Sequence, residues 1–530
     1  MLHRHHGVSI IFCLEEFFYY NMSTASRVIK NTGFLYAKMG ITVFISLYST
    51  RLILASLGAS DFGIYSVVGG AIAMMGFLNS TMANATQRFM SYSLGEGNVE
   101  KCKQIFNISI VLHLAIAAIT AIILLVAMWP LFGGILNIPA DRIPAAKIVY
   151  LCLVFSTVLT IINVPYDAQI NSHENMLYYA VVGIIESALK LTVALLCVYS
   201  DTDKLILYGV LMAMIPMITL TIMKIYCHNH YEECVLAPKR YWNTEKVKEM
   251  LSFSGWNFLT AISYLFTSSG IGIVLNHFFG AILNTAQGIA GQLTSYMQAV
   301  SLQLVKAVNP VIVKKAGAGS TDSVIMVTTA SCKFITFLVL FFSVPFILEM
   351  PFVLGAWLKT IPDWAILFCI LQLVQTIVLQ TAASFSTAIY AQGDIKWYAI
   401  HKSIMNLLPI FLVYLSFELG GGPVWLYIPM IVVFGIGGNM VIISYAKRLC
   451  GLSVGGYFTG VILPVCVVAA AMFALGYIPT LFMVQGFLRF LTTGLLTTAG
   501  FVASVYLFGM KSYEREMFMT PLRRLVKKSK

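Results

Sequence analysis

Charge is what this sequence has least of. Only 11% of its 530 residues are Asp, Glu, Lys or Arg, where a soluble domain carries about 25%. Acid is scarcer still: no Asp or Glu occurs between Glu249 and Asp322, and none in the apolar run 33–56. A pocket for Na⁺ or a hydrophobic cation needs a carboxylate, so these gaps point away from cation binding there. Cysteine pairs are also lacking. The ten cysteines include no CxxC, and most lie in apolar runs, where a thiol is a small hydrophobe. Cys227, His228, His230 and Cys234 have a metal-like composition but match no standard zinc spacing. No Walker A motif is present, and Gly435, Gly437 and Gly438 fall within an apolar run rather than a phosphate loop. No extramembrane stretch is long enough for a catalytic domain, and no nucleophile–base constellation stands out. The expectation is therefore no enzyme, no cofactor, no metal and no nucleic-acid partner.

Apolar sequence is abundant. Hydrophobic residues make up 59% of the chain, and runs near the ~20 residues that a bilayer requires recur along nearly all of it. This predicts an all-α polytopic membrane protein of about fourteen transmembrane helices. Six occupy roughly 33–56, 62–86, 105–129, 147–167, 177–199 and 205–226. Six more occupy 253–276, 282–309, 328–349, 363–389, 396–417 and 424–446, and a last pair 456–478 and 485–508. The implied organisation is a cytoplasmic segment 1–32, a six-helix bundle 33–227, a linker 228–250, a second bundle 251–448, two further helices in 449–510 and a basic tail 511–530. Residues 1–21 include Glu15 and Glu16, are too short to span and lack a cleavage site. They read as a poorly ordered or untranslated segment, with Met22 the more natural start. The net charge of +12 is mostly a topology signal. Lys and Arg concentrate in alternate loops, leaving Arg142, Lys147, Lys204 and Lys359 on the other side, so both termini are expected in the cytoplasm.

The chain also repeats. Gly33–Asn98 aligns without gaps on Gly255–Ser320, 222 residues later. Gly33, Gly58, Gly69, Gly95 and Gly97 fall on Gly255, Gly280, Gly291, Gly317 and Gly319. A second echo, at an offset of 219, puts Tyr178-Tyr179-Ala180 on Trp397-Tyr398-Ala399. Six spans per copy return the chain to the same side, so the bundles are expected to be related by a pseudo-two-fold axis along the membrane normal.

Polar residues within spans mark cavities or helix partners. Lys38 shares a face with Thr42 and Ser49, while Arg51 projects from nearly the opposite side. Asn84, Gln87 and Arg88 form a stripe with Ser80 and Ser91. Asn257 and Thr260 do so with Tyr264 and Thr267, and Gln292, Gln303 and Lys306 with Ser295. These stripes are the candidate substrate-cavity residues. Lys38 and Lys306 favour the cavity, and Arg51 and Arg88 fit either a cavity or a snorkelling position. Lys224, Lys333, Lys402 and Arg489 fit snorkelling or helix pairing better, and Glu186 stands one turn from Lys190, a helix-face pair. A cationic cavity suits phosphate, pyrophosphate or acidic sugars.

The run RLILASLGASDFGIYSVVGGAIAMMGFLNSTMANATQRFMSYSLGEGN (Arg51–Asn98) resembles the start of bacterial polysaccharide flippases. These are the O-antigen (Wzx-type) members of the multidrug/oligosaccharidyl-lipid/polysaccharide superfamily. The resemblance extends to the span count, the two halves and the C-terminal pair. It implies an alternating-access flippase of the bacterial inner membrane. Its substrate would be an undecaprenyl-pyrophosphate-linked oligosaccharide, and its partners membrane lipids and other polysaccharide-assembly proteins. It also implies basic character at Lys38 or Arg51, at Arg88 and at Lys306. A multidrug or cation antiporter is the alternative, followed by a glycan-assembly enzyme.

Overall fold

A computed structural model describes residues 24–511 except 74, 75, 137 and 359, together with 514 and 515. The expectations for residues 1–21, for Lys359 and for most of the basic tail lie outside the described residues. Those described are helical almost throughout, because backbone polar groups in lipid must be paired within the segment itself.

In chain order the long helices are α1 (Thr24–Ala73), α2 (Gly76–Gly95), α3 (Val99–Pro130), α4 (Ile143–Ser172), α5 (Met176–Tyr199) and α6 (Lys204–His230). Then come α7 (Thr244–Gly317), α8 (Thr321–Leu348), α9 (Ala365–Gln380), α10 (Ala383–Gln392), α11 (Lys396–Glu418), α12 (Gly438–Cys450), α13 (Leu463–Phe482) and α14 (Phe487–Ser504). Among the described residues twelve stretches are long and apolar enough to cross a membrane. Two of these, within α1 and α7, bend sharply, and counting each of them twice gives fourteen crossings. The bends fall at Gly58 (φ 76°) and Gly280 (φ 76°), the matched glycines of the repeat. A left-handed φ at this point is open to glycine at little cost, so both hinges are written in the sequence.

The helices begin where polar side chains cap them. Asn98 accepts from the Lys101 N–H, Asn175 from Tyr178, Asp203 from Leu205 and Ile206, and Asn243 from Glu245 and Lys246. Several helices outrun the spans read from hydropathy: α1 begins at Thr24, α4 continues to Ser172 and α7 starts at Thr244. Hydropathy detects only the part of a helix lying in hydrocarbon, whereas hydrogen-bonded turns continue into the polar layer. The polar connection between the halves therefore shortens to residues 231–243. It is held by Glu233, which accepts from Gln169 and from His173 (2.5 Å). His230 stacks on Tyr226 at 4.2 Å.

Within the N-terminal half α1 packs along α5 and α4 along α6, and in the C-terminal half α11 packs along α7. The halves meet chiefly through α2 against α7. Near their ends the backbones touch. A Cβ at Gly95 would collide with the Lys314 carbonyl, and one at Gly317 with the Tyr92 carbonyl. Tyr92 and Lys314 are themselves 222 apart, so the crossing is two-fold in its details. We call this the basic end, and the end carrying Gly58 and Gly280 the hinge end. The final pair, α13 and α14, packs together and against α8. It is fixed there by Arg489, which donates to both oxygens of the buried Glu349 (2.9 and 2.8 Å).

Candidate functional site

The site is built where the two halves face each other, around Lys38 of α1, Asn84–Arg88 of α2 and Gln303–Asn309 of α7. Lys38, on α1, passes over a notch left by Gly183 on α5, where any larger residue would strike its side chain. Its ammonium comes to rest 4.0 Å from the ring centroid of Tyr179, one turn earlier on α5. Lys306, from α7 of the other half, places its ammonium 3.4 Å from the same centroid. One aromatic ring thus lies against two cations from opposite halves, each contact favoured by the ring quadrupole and the pair opposed by their mutual repulsion.

Lys306 lines a cavity of about 320 Å³ together with Asn84, Gln87, Gln303, Asn309 and Asp167. Asp167 belongs to α4. Its Oδ1 is buried and has no hydrogen-bond partner among the described residues. A smaller adjoining cavity of about 140 Å³ is lined by Asn84, Gln87, Arg88, Asn257, Asn309 and Thr387.

The structure therefore brings together six of the ten candidate residues along these two cavities: Asn84, Gln87, Arg88, Asn257, Gln303 and Lys306. Lys38 joins them through Tyr179. Arg88 is nevertheless committed elsewhere. Its guanidinium crosses to the C-terminal half, donating to the carbonyls of Tyr390 (3.1 Å) and Ala391 (2.7 Å). These are among the last carbonyls of α10, where a cation suits the helix dipole. The other three candidates line none of the cavities described. Thr260 donates to Trp256 O within its own helix. Gln292 reaches Tyr296 at 3.4 Å, and Arg51 is exposed on α1 close to the hinge.

Towards the basic end the halves are tied further. Lys314 donates to Glu174 (3.0 Å), whose carbonyl accepts from Asn31 of its own half (2.9 Å). Beside the lysine pair, Tyr36 donates across the halves to Val300 O (3.0 Å). Glu174 (φ 61°) and Gly393 (φ 95°), 219 residues apart, occupy equivalent turns, so the second echo is also structural. Of the cations set aside as helix-paired, Arg489 pairs with Glu349, Lys333 with Glu514 (2.5 Å) and Lys190 with Glu186 (2.6 Å).

Sequence reading missed Asp167 and Glu174. Asp167 is the last residue of the expected fourth span and is not among the candidates drawn from the spans. The helix in fact runs five residues further, past Pro165, which brings Asp167 onto the cavity. The helical spacing of Val164, Asp167 and Ala168, all lining it, was the available signal.

Residues 37–196 match the MatE family model, a region within the N-terminal half. No curated protein sequence matches the chain. Solved structures do. A MATE transporter crystallised with MaD3S aligns at TM-score 0.69 and 13% identity, covering 81% of this chain and 97% of that one. An outward-facing multidrug resistance MATE family transporter of the MOP superfamily aligns at 0.68 and 11%, with the same coverage. A MOP superfamily transporter from Pyrococcus furiosus, described as having a binding pocket of reverse polarity that suggests a different function, aligns at 0.67 and 12%, covering 82% and 98%. With its paired glycine hinges and two six-helix halves, this chain has the fold of the MATE transporters.

Proposed function

We propose that this chain is a membrane transporter of the MATE/MOP type, not an enzyme, and that it moves an amphiphile with an anionic head across the membrane by alternating access. The lipid-linked oligosaccharide of the Wzx-type resemblance is such an amphiphile. The observation that carries this reading is the Lys38–Tyr179–Lys306 cluster. At an effective dielectric near 20, two unit charges about 4–7 Å apart repel by roughly 2–4 kcal/mol. A phosphate or pyrophosphate reached by both lysines relieves that repulsion and gains charge-assisted hydrogen bonds from both halves. It also binds best when the halves are together, which couples occupancy to conformation. In the orientation expected from the loop charges, the closed basic end faces the cytoplasm and the hinge end faces outward.

A second reading has its own support. Asp167, in the same cavity, could hold a cation or a proton, and similarity to solved multidrug transporters backs a multidrug antiporter better than it backs a glycan flippase. One pair of assays separates the two. In a host deleted for this gene, the wild-type chain is tested for restoring surface polysaccharide and for lowering ethidium accumulation. Restored polysaccharide, lost in Lys38→Ala/Lys306→Ala at equal expression, is the expected result. Ethidium efflux abolished by Asp167→Asn, with polysaccharide unaffected by deletion, would replace the first reading with the second.

A further inference from the structure

The two halves carry twin pockets, of which only one is lined with amides. In the N-terminal half a cavity of about 270 Å³ is bounded by Thr42, Ser46, Phe62, Tyr65, Lys190 and Tyr208. In the C-terminal half a cavity of about 400 Å³ is bounded at the matching positions by Tyr264, Ser268, Asn284, Gln287 and Tyr427. The first four pairs are 222 apart and the tyrosines 219, so these are one site in the fold, present twice. The contact between the last two positions is kept in both. Tyr65 packs on Tyr208 with ring centroids 4.7 Å apart, while Tyr427 donates to the Gln287 carbonyl oxygen at 2.6 Å. Where one copy has Phe62 and Tyr65, the other has Asn284 and Gln287. The fold accepts aromatic residues there, so amides are not required for packing.

The amides accumulate. Gln298, Gln372 and Gln375 join Asn284 and Gln287 in the wall, and no Asp, Glu, Lys, Arg or His is among the residues lining it. Gln375 is 2% exposed, and its carbonyl oxygen has no hydrogen-bond partner among the described residues. A buried polar atom in that state costs free energy unless a ligand or water completes it. Tyr264 and Phe434 supply an aromatic side, their ring centroids 5.9 Å apart. Lys402 approaches Phe434 at 5.3 Å from its ring centroid but does not line the cavity. Room is left by glycine: a Cβ at Gly288 or Gly291 would meet nothing within 4 Å. In this wall, just beyond Pro429, Met430–Gly437 forms π-type turns.

We infer that the amide-lined pocket of the C-terminal half is a subsite for a neutral, hydroxyl-rich group, a sugar residue. Each amide offers two donors and an acceptor, which matches hydroxyls that both give and accept, and an aromatic face suits the C–H face of a pyranose. A cation would find no carboxylate here, and an anion no cationic side chain in the wall. Within the glycan reading proposed above, on which the source of the sugar rests, the pyrophosphate sits at Lys38 and Lys306 and the glycan extends into this half.

Saturation-transfer NMR on the purified full-length protein in detergent tests this. The probes are oligosaccharides released by mild acid from the host's surface polysaccharide, with glucose, galactose and N-acetylglucosamine as single sugars. Saturation should reach sugar ring protons with the wild type and fall at least fivefold in Gln375→Leu. It should fall similarly in Gly291→Leu, which fills open space on a helix of ordinary geometry and so keeps the fold. No transfer to any sugar with the wild type, or transfer undiminished in both variants, overturns the subsite. Sugar binding in a protein whose deletion leaves surface polysaccharide intact would keep the subsite and remove the glycan-transport reading. Polysaccharide lost in Lys306→Ala without any sugar binding would do the reverse.

Discussion

Lys38 and Lys306 reach the same ring for different local reasons. Lys38 depends on the Gly183 notch, so Gly183→Leu should displace it and lower transport about as much as Lys38→Ala, at least threefold in substrate translocated per minute in proteoliposomes. The charges elsewhere are structural. Glu349 is fully buried and fork-bonded by Arg489, with Thr493 donating as well (3.1 Å). Removing one partner of such a pair strands the other, at about 3–5 kcal/mol. Arg489→Ala should therefore lower the melting temperature in detergent strongly, while Lys190→Ala, which breaks an exposed helix-face pair, should scarcely change it. Outside the spans, Arg142 donates to both Asp61 and Asp203. Those hydrogen bonds hold the Asp203 carboxyl below its ordinary range. A depressed folded value means the contribution is complete above the unfolded value of about 4 and is lost as the pH falls through the folded one. The melting temperature should be flat from about pH 8 to 5 and decline below about pH 4, and Asp203→Asn should remove part of that decline.

At the scale of elements, glycine does two separate jobs in the repeat. Gly58 and Gly280 turn the chain with a left-handed residue inside a helix. Gly95 and Gly317 let α2 and α7 cross at backbone contact. The first pair sits at φ 76° with ψ 169° and −171°, backbone that is essentially glycine's alone, and alanine there costs on the order of 1–3 kcal/mol each. The second pair tolerates nothing larger while the basic end is closed. Gly95→Val should therefore hold the basic end apart, raising maleimide labelling of a cysteine placed at Ser93 at least threefold over the same cysteine on the wild-type background. Unchanged labelling would mean that the crossing does not close this end. The repeat was legible because glycine is demanded at each of these positions by backbone geometry. The remaining sequence drifted, because a lipid-facing or core apolar position accepts many side chains.

For the whole molecule, of the ties between halves named above, Arg88 to Tyr390 and Ala391 and Lys314 to Glu174 lie on the basic-end side of Lys306, while Tyr36 to Val300 lies beside the lysine pair. A transporter that alternates must break them as a set. Arg88→Ala removes two cross-half hydrogen bonds without touching the lysines. It should shift spin-label distances across the basic end towards longer values, with binding at the Tyr179 cluster retained. The Arg88 position also shows the limit of reading stripes. Its spacing with Asn84 and Gln87 places it on the cavity face, and it does line a cavity. Its role as a clasp depends on the end of α10, about 300 residues away, which no periodicity can reveal.

The sequence by itself determined the membrane-spanning all-helical fold, the two glycine-marked halves and the cationic bias of α1, α2 and α7. Those follow from hydrophobic length, backbone permissiveness and local spacing, all properties of a short window. Only the tertiary structure decided which cations meet. It joined Lys38 to Lys306 on Tyr179, took Arg51 out of the group, brought Asp167 in and set an amide-lined pocket opposite a twin that carries no amide. Helical spacing fixes the direction of a side chain relative to its own axis. What that side chain faces depends on how separate helices pack, and that is a property of the assembled halves alone.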